Sequence, residues 1–337
     1  MNITRRQFAV GCGAGLLVCQ NALASQTTTP QNSAAPDKAA TNNAVPNKTT
    51  ADKTAPDKIA PNKPAQNPLI KLKTGNLIPA LGMGTWKLAQ GVRPIEQEEE
   101  ALQTGLDLGM KLIDTAELYG SGLAEEMVGR IIAGRRNKTY IVSKIMPAHA
   151  GNANDIRTAC QNSLARLGIA KMDLYLLHWR GGISNLKTVV DTFEELKAEG
   201  AFTDWGVSNF SVADMEDLFA IPNGEKCATN QVEYSLLDRQ IERDLMPWSI
   251  KNAMPIMAYS PLGSGKGGLL QNATLQEIAK KHAVSAAAVA IFWTMRNNFT
   301  ISIPQTGQAN HMRENAAALG LHLDEDDLEK LDKAFPI

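Results

Sequence analysis

The sequence predicts a (β/α)8 TIM barrel, preceded by an N-terminal β-hairpin and, before that, by a signal peptide and a disordered linker. Three observations carry this. Eight short apolar runs alternate with amphipathic stretches over residues 68–337, and three successive runs finish on an ionisable side chain. The linker, residues 25–67, lacks the apolar side chains that a core requires.

Residues 1–24 read as a targeting signal. Thr4-Arg5-Arg6-Gln7-Phe8 precedes an apolar run from Ala9 to Cys19, and Ala22-Leu23-Ala24 supplies small residues for a signal peptidase. The run is too short to span a bilayer, so it is read as cleavable, without stable membrane insertion. The paired arginines resemble a twin-arginine export signal, which gives a periplasmic expectation. An ordinary secretory peptide carrying Arg-Arg is the alternative.

Residues 25–67 are Ala, Pro, Asn, Thr, Asp and Lys, with a degenerate repeat at Ala35-Pro36-Asp37-Lys38, Val45-Pro46-Asn47-Lys48, Ala55-Pro56-Asp57-Lys58 and Ala60-Pro61-Asn62-Lys63. Such a segment cannot bury enough apolar area to offset its ordering entropy and reads as an extended spacer. From residue 68 onward the chain reads as one barrel domain. Residues 69–72 and 77–78 flank Thr74-Gly75-Asn76, a hairpin turn signal. Strands are expected at 80–85, 111–115, 140–144, 174–178, 204–208, 228–232, 256–260 and 300–303. Amphipathic helices are expected at 95–108, 154–167, 186–197 and 241–252, and a helix apolar nearly all round at 285–296. Short apolar strands separated by helices imply a parallel sheet buried on both faces, and eight of them fit a closed barrel.

Bulk composition excludes some partners. The 337 residues carry a net charge of −1, which offers no field for nucleic acid or an anionic membrane. Cysteines 12, 19, 160 and 227 show no zinc spacing, so no metal is expected, and Cys160 and Cys227 leave a single bridge open. A monomer is the expected state.

In a barrel of this kind, chemistry gathers at the C-terminal ends of the strands. Asp114 closes the second strand, Lys144 the third and His178 the fourth, while Tyr119 follows Asp114 by five residues. One such residue would usually be a structural hydrogen-bonder; three in register beside a tyrosine form a candidate site.

The runs around these residues resemble the aldo-keto reductases. They are Gly82-Met83-Gly84-Thr85-Trp86, Ile113-Asp114-Thr115-Ala116-Glu117-Leu118-Tyr119-Gly120, Lys144 in Val-Ser-Lys, and His178 in Leu-Leu-His-Trp. Trp205-Gly206-Val207-Ser208-Asn209-Phe210, Thr229-Asn230-Gln231-Val232, Ala258-Tyr259-Ser260-Pro261-Leu262 and Ile303-Pro304 continue the pattern. The resemblance covers about residues 69–335 and looks closest to bacterial reducers of small aldehydes such as methylglyoxal. It implies NAD(P)H-dependent reduction of a small carbonyl substrate. Tyr119 would be the general acid, Lys144 its tuner, Asp114 the lysine's partner, and His178 would orient the carbonyl. A free tyrosine, with a pKa of about 10, holds its proton too tightly for both directions of the reaction, and an adjacent ammonium lowers that pKa.

The resemblance also implies where the cofactor lies. Gly84, Thr85, Trp86 and Asp114 would contact it. Ser208, Asn209 and Gln231 would hold the carboxamide, Tyr259 would stack on the nicotinamide, and Ser260, Pro261 and Leu262 would meet the pyrophosphate. Gln305 and Thr306 would lie toward the 2′-phosphate, and Glu314 and Asn315 would read adenine. Trp86 and Trp179 would wall the substrate. Where relatives that prefer NADPH show Ile-Pro-Lys-Ser/Thr, this chain has Ile303-Pro304-Gln305-Thr306, with His311 in place of an arginine. NADP(H) is the family default, and NAD(H) is left open by these substitutions.

Gly263-Ser264-Gly265-Lys266-Gly267-Gly268 matches a dinucleotide fingerprint. It comes after the seventh strand with no acidic residue about 20 positions on, so a loop over the pyrophosphate is the better reading. Two other functions compete with reduction: a cofactor-binding sensor or regulatory barrel without catalysis, and a Schiff-base lyase using Lys144.

Overall fold

The computed structural model describes residues 66–265 and 267–337, so the expected leader signal and spacer residues 25–65, with all four repeats, lie outside the described residues. The chain runs β1 (Leu69–Lys71), β2 (Leu77–Pro79), β3 (Gly82–Gly84), α1 (Ile95–Asp107), β4 (Leu112–Asp114), α2 (Leu123–Ile132), β5 (Tyr140–Ile145), α3 (Ala153–Leu167), β6 (Met172–Leu177), α4 (Leu186–Ala198). It continues through β7 (Phe202–Ser208), α5 (Val212–Phe219), β8 (Asn230–Glu233), α6 (Leu245–Lys251), β9 (Ile256–Tyr259), α7 (Ala273–Lys281), α8 (Ala286–Met295), β10 (Thr300–Ile303), α9 (Ala309–Ala316) and α10 (Glu325–Ala334).

Strands β3 to β10 pair in parallel in chain order. The sheet closes on itself where Leu81 bridges Ser302 and Gly84 bridges Gln305. The Ser302 N–H donates to the Ala80 carbonyl and the Gly84 N–H to the Pro304 carbonyl, which seals the seam. This is the expected eight-stranded barrel. Its strands read as apolar runs because helices bury the outer face while side chains fill the inside. Val142, Leu174, Leu176, Ile256 and Ile301 are among the fully buried core.

The hairpin β1–β2 pairs antiparallel with Ile70 opposite Ile78. It covers the N-terminal end of the barrel. Asn76 donates to Asp204 at the start of β7 (2.7 Å), and Lys73 donates to the Asn252 carbonyl ahead of β9 (2.9 Å). Asn67, which composition assigns to the spacer, already donates to the carbonyls of Leu81 and Gly109. The plugged end leaves the opposite, C-terminal end open.

The bounds of several expected elements shift, two of them for a visible reason. The helix expected over 241–252 is confined to α6, because Asp244 caps Leu245 and Pro247 belongs in a first turn, not in a helix interior. The strand expected from 228 begins at Asn230; the Thr229 hydroxyl is spent on the Pro255 carbonyl just before it. Helix α8, capped by Ser285, is buried on nearly every side, as its apolar sequence requires. Cys160 and Cys227 are separate buried free thiols, so no bridge joins them. Among the described residues no helix is long and apolar enough to cross a membrane.

Candidate active site

The open end of the barrel holds a cavity of about 690 Å³, within the range of small-ligand and cofactor sites. Asp114, Tyr119 and His178 line it, together with Trp86 and Trp179. Lys144 lies beneath, fully buried.

Strand alternation sets the inward side chains. On β5, Ser143 turns outward to donate to Glu125 (2.5 Å), which puts Lys144 inside the barrel. Its ammonium donates to Asp114 Oδ2 at 2.7 Å, to the Thr115 carbonyl at 2.9 Å and to the Tyr119 hydroxyl at 3.3 Å. All three donors of the ammonium are thereby used. The rings of Tyr119 and His178 meet edge to face, 5.6 Å between centroids. The four residues that close successive strands, or follow one, converge on one point.

Their electrostatics follow from burial and from one another. Burial pushes the Asp114 carboxyl up, and Lys144 and Gln231 pull against that. For Lys144, burial works against the ammonium, yet the Asp114 carboxylate and the Tyr119 oxygen carry its pKa above the usual lysine value. Tyr119 departs from the sequence expectation. Lys144 does pull its pKa down, but burial is the larger effect and the phenol ends above its ordinary value. It is therefore held as a protonated donor. Burial first, and the Lys144 charge second, lower His178 to about 3, so its imidazole is neutral. A Schiff-base lysine must shed its proton in order to attack a carbonyl. Lys144 is held in the opposite state, and no exposed face of it remains.

The cofactor candidates divide. Gly84, Trp86, Ser208, Asn209, Gln231, Tyr259, Ser260, Pro261, Leu262 and Gln305 line the cavity. Thr85, Thr306, Glu314 and Asn315 do not. The Thr85 hydroxyl is buried against the Asp114 carbonyl, and that of Thr306 accepts from the Gln308 N–H. Asn315 is buried on α9, and Glu314 beside it is exposed. Asn209, at φ 58°, donates to the His178 carbonyl and accepts from the Tyr259 hydroxyl, tying three strand ends together.

Gln231 carries the most specific constraint. Its Nε2 donates to Asp114 Oδ1 (2.7 Å) and contacts the Met257 sulfur at 2.8 Å, both acceptors. The amide orientation is thus fixed, and its oxygen is left to accept from a ligand.

The glycine-rich segment after β9 is a tight series of turns on the cavity wall, not a strand-to-helix phosphate loop. Gly263, Ser264, Gly265, Gly267 and Gly268 all have positive φ, and a β-carbon on Gly263 or Gly267 would press into Leu237. Lys87, Leu118, Glu233 and Leu269 to Gln271 also line the cavity and were not anticipated. Leu118 could have been read from its place between two motif residues. The others come from loops whose direction the sequence pattern does not encode.

A model of the aldo/keto reductase family matches residues 80–335. The chain belongs to the aldo/keto reductase family. The reductase is 43% identical over 274 residues to methylglyoxal reductase YeaE of Escherichia coli, covering 80% of this chain and 96% of that one. It is 30% identical over 270 residues to the glyoxal reductase of Bacillus subtilis, covering 78% and 91%. Among solved structures it is similar to an aldo-keto reductase from Klebsiella pneumoniae in complex with NADPH, with a TM-score of 0.77 and 40% identity over 80% of this chain and 95% of that one. An aldo/keto reductase from Klebsiella pneumoniae in complex with NADP and acetate gives a TM-score of 0.76, with 40% identity over 80% of this chain and 95% of that one. The reductase is thus an oxidoreductase built on the barrel that these relatives share.

Proposed function

We propose that this reductase carries out NAD(P)H-dependent reduction of small aldehydes and ketones to alcohols, methylglyoxal-like dicarbonyls among them. The observation that carries the reading is the Lys144 ammonium joining Asp114 to the Tyr119 hydroxyl at the floor of the cavity. Similar Klebsiella pneumoniae structures hold NADP in one case and NADPH in another, and the residues present here fit that cofactor. Gln231 offers an amide oxygen to a carboxamide donor, and Ser208 and Asn209 stand beside it. The Tyr259 ring supplies a flat wall. Bound there, the cofactor supplies a hydride for the carbonyl carbon.

The chain's own groups supply the rest. Hydride arrival leaves charge on the carbonyl oxygen, which needs a donor and a stabilising dipole. Tyr119 Oη gives the proton, and Lys144, held by Asp114, stabilises the phenolate that results. The neutral imidazole of His178 directs the carbonyl oxygen toward Tyr119 without competing as an acid. Trp86, Leu118 and Trp179 form an apolar wall that suits a short side chain.

The leader, with Arg5-Arg6, supports export of the folded barrel to the periplasm, with the linker as a spacer; protein purified from that compartment would then carry releasable dinucleotide. The deciding experiment is NADPH oxidation by the mature protein across a panel of small aldehydes, with Tyr119→Phe beside it. A variant that keeps most of the rate would remove Tyr119 from the role of proton donor.

A further inference from the structure

The Tyr119–Lys144 contact depends on how the loop after β4 is fastened to the end of β5, and one side chain does the fastening. Strand β4 ends at Asp114, but its hydrogen-bond ladder with β5 goes on. The Thr115 N–H donates to the Val142 carbonyl and the Glu117 N–H to the Lys144 carbonyl (3.3 Å). At the next rung there is no backbone carbonyl. There the Met146 N–H donates to Glu117 Oε1 at 2.6 Å, so a side-chain carboxylate takes the place of a main-chain acceptor. Glu117 thus grips β5 on both sides of Ile145, two residues before the tyrosine. The carboxylate is only 7% exposed, and its other partner is Nδ1 of the half-exposed His149 at 3.0 Å.

We infer that Glu117 is a positioning residue that sets the distance between the Tyr119 hydroxyl and the Lys144 ammonium. This rests on the reading of Tyr119 as proton donor. Glu117 does not line the cavity and touches neither Tyr119 nor the space open to substrate. Its effect reaches the chemistry only through the loop. The groups that face Tyr119 are Lys144 from β5, Asp114 from β4, His178 after β6 and Tyr259 from β9. Of these, Lys144 is the one whose distance the Glu117 clamp controls directly, because the clamp joins their two segments.

The test compares Glu117→Ala, Glu117→Asp and Glu117→Gln. Glutamine keeps an oxygen at the reach of the Met146 N–H; aspartate, one methylene shorter, does not. Small misplacement of a reacting group costs up to about 100-fold in rate, so the alanine and aspartate variants should lose about 10- to 100-fold in kcat. KM and cofactor affinity, read by quenching of protein fluorescence, should stay within about twofold. Glutamine should restore most of kcat. A second readout needs no turnover: the ultraviolet titration of Tyr119, taken as the difference from Tyr119→Phe, should move to higher pH in the aspartate and alanine variants.

The inference is overturned if aspartate and glutamine lose kcat equally, if alanine keeps kcat within twofold, or if the loss appears as cofactor affinity. Should alanine fail to fold, the aspartate–glutamine comparison decides. Should the wild type reduce no carbonyl at all, the proposed function fails while the tyrosine titration still decides the clamp.

Discussion

Gln231 and Lys144 donate to different oxygens of one carboxylate, Asp114, at 2.7 Å each. Under the proposed function, Gln231 lines the part of the cavity that would take a carboxamide, whereas Lys144, in contact with the Tyr119 hydroxyl, would serve the proton donor. On that proposal the buried Asp114 would be shared between the two halves of a hydride-plus-proton reaction. This arrangement makes the glutamine more than a ligand contact.

Replacing Gln231 with leucine should disturb both halves. It leaves a buried carboxylate oxygen without a donor, at a cost of about 1–3 kcal/mol. Gln231 is one of the influences that hold the Asp114 pKa down against burial, so its loss lets that pKa rise further. Asp114 then takes a proton at a higher pH, and the acid limb of kcat/KM moves upward. Measured pH profiles of wild type and variant check this; coincident acid limbs would separate Gln231 from the proton side.

The pH profile of the wild type should be broad. Reduction needs Tyr119 protonated, and its pKa lies above the usual tyrosine value, so the alkaline limb lies above about pH 10. His178 is lowered to about 3 and contributes no inflection near its ordinary 6.5. Reduction of an uncharged aldehyde should thus show no histidine inflection near 6.5 and no tyrosine limb below about pH 10. A limb near 6.5 that vanished in His178→Asn would show that the imidazole titrates.

The same histidine should make acid destabilising. Its folded pKa is depressed, so between about 3 and 6.5 the unfolded chain binds a proton that the folded chain refuses. Stability then falls as pH drops through that window, by up to about 1.4 kcal/mol per pH unit from this group. Urea unfolding at pH 7 and at pH 5 measures the slope. His178→Asn should flatten it relative to wild type.

How far the sequence announces all this depends on where each constraint resides. The strands were legible because a parallel strand buried on both faces must be apolar throughout; the expected 140–144 falls within Tyr140–Ile145. Asp114, Lys144 and His178 were legible because each breaks such a run at its end. The sign of the Tyr119 shift was not, since it is decided by how much water the fold removes and not by which residue is adjacent. Glu117 was invisible as a clamp for a similar reason. Its partner is a backbone N–H that has no sequence identity, reached across a register that only the folded sheet defines.

Glu98, on α1, is the counterpart of that clamp beneath the Trp86 loop. It is fully buried, and its Oε2 accepts from the Ala89 N–H at 2.7 Å, where Lys87 and Ala89 both hold positive φ. Its other oxygen finds no partner among the described residues. Glu98→Gln keeps an acceptor for Ala89 and should be tolerated. Glu98→Ala leaves that N–H unmatched and should cost about 1–3 kcal/mol while loosening the Trp86 wall, seen as a higher KM with kcat little changed. Equal kinetics for both variants would detach the wall from Glu98.

Under the proposed function, cofactor choice should turn on Gln305. It lines the cavity beside the β3–β10 seam, at the position where the family resemblance implies a lysine in members that prefer NADPH. Among the described residues Lys87 is the only lysine or arginine on that wall, and its ammonium stands over the Trp86 ring, 4.3 Å from the centroid. His311 is turned toward the Gln308 amide at 3.4 Å. A 2′-phosphate would therefore meet a neutral amide where a charge-assisted bond worth about 1.5–3 kcal/mol is otherwise made. The wild type should discriminate weakly between NADPH and NADH. Gln305→Lys should lower the KM for NADPH by about 10-fold or more, since 1.4 kcal/mol is a factor of ten, and leave that for NADH unchanged. Steady-state KM values for the two cofactors decide it: a strong NADPH preference in the wild type, or a lysine variant that gains nothing, would place the phosphate elsewhere.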